Sequence, residues 1–172
     1  VFKEVIENTD PEKTILLKED INALKVYETK IDDEIHGAPL EFYTAVSTIY
    51  FKRVDEIIAI YRDILSKPFD FSTKEQVQMN PDKLEYPANN TERIARWQSK
   101  LKYATLTRFA DLQEQRSKAN AKDSMASKTD AQLEKMSRER LLSALDRFYS
   151  RIKTKLTSEE QFNAFVNTIT QI

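Results

Sequence analysis

Glycine constrains this chain more than any other residue. Gly37 is the only glycine in 172 residues, and the five prolines, Pro11, Pro39, Pro68, Pro81 and Pro87, all lie before Ala88. Tight hairpin turns hold residues at positive φ, which glycine reaches without steric cost, so a chain this poor in it is badly equipped to connect strands. From Ala88 to Ile172 nothing breaks a helix outright. The expectation is an all-α fold.

Hydrophobic spacing supports this. VFKEVIEN at the start reads as helix, and Lys18 to Ile35 sets Ile21, Leu24, Tyr27, Ile31 and Ile35 on one helical face. Gly37 supplies a stop and Pro39 the next start. Pro39 to Ser66 is the longest expected element, with Tyr43, Val46, Tyr50, Val54, Ile57, Tyr61 and Ile64 in one stripe. Phe42, Ile49, Phe51, Ile58, Ile60 and Leu65 widen that stripe, so this helix must be covered on several sides and is expected at the centre.

Asn89, Asn90 and Thr91 offer a capping oxygen, with Glu92 three residues after Asn89, for a helix that carries Ile94, Trp97, Leu101, Leu106, Phe109 and Leu112 to about Arg116. Arg116 to Lys128 (RSKANAKDSMASK) lacks apolar periodicity and reads as a mobile loop or a solvated helical extension. Thr129 with Gln132 and Thr157 with Glu160 form capping boxes that open two further helices. Residues 1–172 thus read as a single domain of five or six helices around one long central helix.

The exception is Ser66 to Asn89, SKPFDFSTKEQVQMNPDKLEYPAN, which holds Phe69, Phe71, Met79, Leu84 and Tyr86 among three prolines. Solvated connectors rarely contain so many rings, so an ordered crossover packed on its own apolar side chains is expected.

Composition excludes several functions. Lys and Arg number 27 against 28 Asp and Glu, for a net charge of −1, so no overall field favours nucleic acid or an anionic membrane. No apolar run approaches the ~20 residues of a membrane span. Without cysteine there is no disulfide framework and no thiolate metal cage. Val1 lies inside what reads as helix with no signal segment before it, so the chain is expected to be cut from a longer one.

Catalytic constellations are equally scarce. His36 is the single histidine, which removes Ser-His-Asp machinery, and beside Gly37 it reads as a polar helix end. Asp33-x-x-His36 lacks the second motif a helical di-metal site needs, and Asp32, Asp33 and Glu34 lack the spacing of a calcium loop, so no metal or cofactor is expected. Ser-x-x-Lys occurs twice, as Ser99 with Lys102 and Ser150 with Lys153, without a glycine nearby for an oxyanion loop. Asn89-Asn90-Thr91 has the form of a glycosylation sequon but is needed as a cap, and the basic run from Arg138 to Lys155 reads as a solvated face.

The segments DPEKTILLKEDINALKVYETKIDDEI and LEFYTAVSTIYFKRVDEIIAIYRDILSKPFDFS, with Tyr86-Pro87 before ERIARWQSKLKYATL, resemble the N-terminal helical region of tail-specific proteases. These are the carboxy-terminal processing peptidases of the bacterial envelope. KMSRERLLSALDRFYSRI followed by LTSEEQFNAFVNTITQI is similar to the two helices that close that region, and Lys67-Pro68-Phe69-Asp70-Phe71 with Trp97 is the most specific part.

The resemblance implies a periplasmic parent, a serine endopeptidase with a Ser-Lys dyad and a PDZ domain that selects proteins through apolar C-terminal residues. No catalytic residue is carried over, because the glycine-rich surroundings of such a nucleophile and the Asp-Pro-His segment that usually follows the last helix are absent from these residues. The chain is then expected to be a non-catalytic module for substrate or adaptor engagement and interdomain contacts. Its expected partners are protein substrates, the peptidase and PDZ parts of the same polypeptide, and an envelope adaptor. Phe69, Phe71, Tyr86 and Trp97 are the candidate structural or interaction residues. The alternative is a free-standing helical protein-interaction domain.

Overall fold

The structure, a computed structural model, describes residues 1–36, 38–120 and 123–155. Among these there is no strand, and the helices are α1 (Phe2–Thr9), α2 (Lys18–Leu24), α3 (Ile31–Ile35), α4 (Glu41–Leu65), α5 (Asn90–Lys118) and α6 (Asp130–Lys155). No helix of the described residues is long and apolar enough to cross a membrane.

Helix α4 is central, as its broad stripe requires, and it buries Phe42, Val46, Val54, Ile57, Tyr61, Ile64 and Leu65 along its length. Its C-terminal half packs with α5 and α6 around Val54, Ile57, Tyr61, Trp97, Leu101, Leu141 and Tyr149. Its N-terminal half joins α1, α2 and α3 around Phe2, Ile6, Leu16, Leu24, Ile31 and Phe42. A single helix therefore runs through two apolar clusters.

The ends of the helices follow side-chain chemistry. Asn89 Oδ1 accepts the Glu92 N–H at 3.0 Å and opens α5. The Thr129 capping box is reciprocal: Gln132 Oε1 accepts the Thr129 N–H at 2.9 Å and Thr129 Oγ1 accepts the Gln132 N–H at 3.3 Å. His36 is an exposed cap on α3, its Nδ1 2.8 Å from the Asp32 carbonyl. The box of Thr157 and Glu160, and the helix it opens, lie outside the described residues.

Two expectations are corrected. Lys18 to Ile35 is not one helix, because α2 stops at Leu24 and a 3-10 turn spans Lys25–Tyr27 before α3 begins. Val26, Tyr27 and Thr29 are weak helix formers, and the tightened turn brings the Tyr27 ring within 6.4 Å of Phe42 while Val26 is left exposed. The longest helix is α5 with 29 residues, not α4 with 25, since the polar residues after Arg116 continue it to Lys118.

Arg116 to Lys128, read as a mobile loop or a solvated helical extension, is in its first residues such an extension, since exposed Ser117 and Lys118 continue α5. Arg116 donates to the Lys128 carbonyl at 2.8 Å and to Asp130 at 2.7 Å, and Asp123 and Met125 begin hydrogen-bonded turns beside it.

Candidate functional site

The loop between α1 and α2 is built on Asp10. Its carboxylate is buried and accepts the backbone N–H groups of Thr14 at 3.1 Å, Ile15 at 2.8 Å and Leu16 at 2.9 Å, the compensation a buried charge needs. Burial pushes the Asp10 carboxyl up, and it stays raised although the N–H groups of Leu16, Ile15 and Thr14 pull it down. The tight path places Lys13 at φ 51°, in the left-handed region that costs a non-glycine residue roughly 1 kcal/mol.

One face of α5 reads the carbonyls of this loop in order. Arg96 donates to Lys13 O at 2.6 Å, Trp97 Nε1 to Thr14 O at 2.8 Å and Arg93 to Ile15 O at 2.8 Å. Residues 93, 96 and 97 share a face because three and four residues make about one helical turn. Lys13 Nζ continues the tie by donating to Pro81 O at 3.0 Å and Leu84 O at 2.8 Å on the crossover.

Between the two apolar clusters lies a charged layer. Arg53 on α4 holds Asp20 of α2 in a bidentate pair, Nε to Oδ2 at 2.8 Å and Nη2 to Oδ1 at 2.9 Å. Glu56 accepts from Arg53 and also from Arg93, whose side chain is fully buried. Burial pushes the Glu56 carboxyl up, but the two guanidiniums outweigh it and hold it below the ordinary value. Sequence reasoning missed this layer. The signal was there, since Arg53 interrupts the face of Tyr50, Val54 and Ile57, and Arg93 stands one turn before Trp97.

The crossover between α4 and α5 is pinned at both ends. At the first, the buried Glu134 of α6 accepts the Phe69 N–H at 3.0 Å and the Arg138 Nε–H at 2.8 Å, while Arg138 also donates to the last carbonyl of α4, Leu65 O, at 2.8 Å. At the second, Arg96 holds Glu85 O at 2.9 Å and the Tyr86 hydroxyl points at Ile6 O, 3.4 Å away.

The four residues singled out from sequence divide accordingly. Trp97 is buried among Tyr61 and Tyr149, while Tyr86 is partly buried against the α1–α3 cluster and Phe69 is partly buried against the α4–α6 cluster. Phe69 and Phe71 are half-buried, with ring centroids 6.1 Å apart, and Phe71 stacks on Phe109 of α5 at 5.9 Å. Met79, expected among the packed residues of this stretch, is 51% exposed, because the chain there runs along the mouth of a groove of about 270 Å³ beside α5.

In the two Ser-x-x-Lys pairs the lysine is engaged elsewhere than with its serine. Lys102 is ion-paired with Glu75 and Lys153 with Asp55 at 2.6 Å. Among the described residues, no group of three His, Cys, Asp or Glu could hold a metal ion.

The sequence model of a family described as "Tail specific protease N-terminal domain" matches residues 1–172, the whole chain. The chain belongs to that family. In this tail-specific protease domain the two segments that carry the resemblance, Lys67 to Phe71 and the helix around Trp97, are the points where α6 and α5 fasten the crossover and the Asp10 loop.

Proposed function

We propose that this tail-specific protease domain is a non-catalytic capture platform in a periplasmic serine endopeptidase. It engages protein substrates or an adaptor and rests against the peptidase and PDZ parts of the same polypeptide. The observation that carries this reading is the shelf formed by Phe69, Phe71 and Phe109, whose partly buried rings lie against one another on a backbone held at the Phe69 N–H by Glu134. Aromatic surface already fixed in place binds with little further loss of conformational freedom.

The test is a parent protease carrying Phe69→Ala and Phe71→Ala together, assayed on an unfolded protein substrate. A shelf that only binds contributes equally to ground and transition states, so KM should rise about threefold or more with kcat unchanged. A fall in kcat at constant KM would contradict the reading.

A further inference from the structure

We infer that the outward face of α6 is a docking site for an acidic helix of a partner protein, centred on Arg140, Arg147 and Arg151. The chain has ten arginines. Six are ion-paired: Arg53 with Asp20, Arg62 with Asp146, Arg93 with Glu56, Arg96 with Glu92, Arg116 with Asp130 and Arg138 with Glu134. Arg108 donates to the Ala104 carbonyl within its own helix. The remaining three, Arg140, Arg147 and Arg151, have no ion pair or hydrogen bond among the described residues, and all three are exposed.

These three share one face. Spacings of seven and four residues are close to whole helical turns, so the guanidiniums lie in a row with steps of about 10 Å and 6 Å. The nearest acidic neighbour in sequence, Glu139, is paired with Lys135 at 3.8 Å, and Asp146 is occupied by Tyr61 and Arg62. A shallow depression of about 640 Å³ runs along the row, lined by Met136, Arg140, Ser143, Arg147 and the Lys135-paired Glu139. Phe148, 56% exposed, stands next to Arg147. Arginine beside an exposed aromatic ring is the composition of energetically dominant interface residues.

The geometry favours an acidic helix over other polyanions. A helix laid along α6 repeats carboxylates at the same rise and can meet all three guanidiniums in bidentate pairs. A nucleic-acid site typically engages six to ten phosphates, and three arginines on a chain of net charge −1 fall well short of about that number. A membrane-surface helix needs a broad apolar face, and this face offers only Met136 and the bordering Phe148.

The inference deepens the capture reading, and its test measures binding alone so that the two can fail separately. The probe is a fluorescent, helix-forming peptide of ~20 residues with glutamates in a heptad row, titrated with the 172-residue chain at low salt. Its glutamine counterpart, single-stranded DNA and vesicles containing phosphatidylserine serve as parallel probes. Wild type should bind the acidic peptide in preference to all three, and Arg140→Glu, Arg147→Glu and Arg151→Glu together should weaken binding by about tenfold or more. The three Arg→Gln changes together provide the same test without charge reversal if the first variant fails to fold, as circular dichroism would report. No binding, equal binding by the folded variant, or tighter binding of DNA or vesicles would overturn the inference. Peptide binding that is lost in the variant, in a protease whose protein cleavage is unaffected by deleting this domain, would support this site and sink the capture reading.

Discussion

Trp97 donates its indole N–H to the carbonyl of Thr14 at 2.8 Å, across 83 residues of sequence. The bond joins a helix of the main bundle to a loop whose backbone has few regular partners. It works with Arg93 and Arg96, which satisfy the carbonyls on either side. The loop's conformation is therefore set by α5 as much as by its own sequence.

Replacing Trp97 with phenylalanine keeps a ring beside Tyr61 and Tyr149 but leaves a buried carbonyl at Thr14 without its donor. The expected loss is ~2 kcal/mol or more, since an unsatisfied buried group carries its full desolvation cost. Urea unfolding measures it. A midpoint equal to that of wild type would show that the hydrogen bond adds nothing.

Arg93→Lys should cost about 3 kcal/mol although the charge is kept. An ammonium cannot reach Ile15 O, Asn90 and Glu56 together as the planar guanidinium does. Thermal melting of both forms at neutral pH checks this, and a lysine variant as stable as wild type would mean the fork geometry is dispensable.

Acid should expose the role of Glu56. Its folded pKa lies below 4.5 because, against the opposing effect of burial, Arg93 and Arg53 favour the charged form. The unfolded chain then takes up the proton first, so this stabilisation is complete above pH 4.5 and is lost as pH falls through the folded value. Asp10 acts in the opposite sense: its folded pKa is raised above 3.8, and its contribution is complete below pH 3.8 and lost as pH rises through the folded value. Glu56→Gln should therefore flatten the decline of the urea midpoint below pH 4.5. Superimposable pH profiles for the two proteins would contradict the assignment.

Glu134→Ala removes the acceptor for the Phe69 N–H and leaves Arg138 without its carboxylate. The expected destabilisation is about 3 kcal/mol, with faster hydrogen exchange at the Phe69 amide. Phe71→Ala should cost less, about 1–2 kcal/mol, because the ring is only half-buried, where a fully buried phenylalanine costs roughly 3–5 kcal/mol. Unchanged exchange at Phe69 in the Glu134 variant would mean the crossover is held by other contacts.

The helical fold was legible because glycine scarcity and the stripe on α4 point the same way, and both are properties of short windows. The caps at Asn89 and Thr129 were legible for the same reason, each being a side chain acting three residues along. The ties at Arg93, Arg96 and Trp97 were not, since their acceptors are backbone carbonyls about eighty residues away and a carbonyl has no residue type to betray it. Of the ring candidates, sequence identified Phe69, Phe71, Tyr86 and Trp97 but not that Trp97 alone is fully buried while the other three are partly buried. That division depends on where Glu134 and Arg138 draw the crossover against α6.

The most direct measurement for the capture account compares two substrates of the parent protease with and without residues 1–172. Deletion leaves the chemistry downstream untouched if this domain only gathers protein, so kcat/KM for a short peptide ending in apolar residues should change by less than about tenfold, or ~1.4 kcal/mol. Cleavage of a large protein substrate should fall by more than that, in a truncated enzyme shown by thermal melting to be folded. Equal losses on peptide and protein would mean that these helices position the catalytic dyad, and would contradict the account.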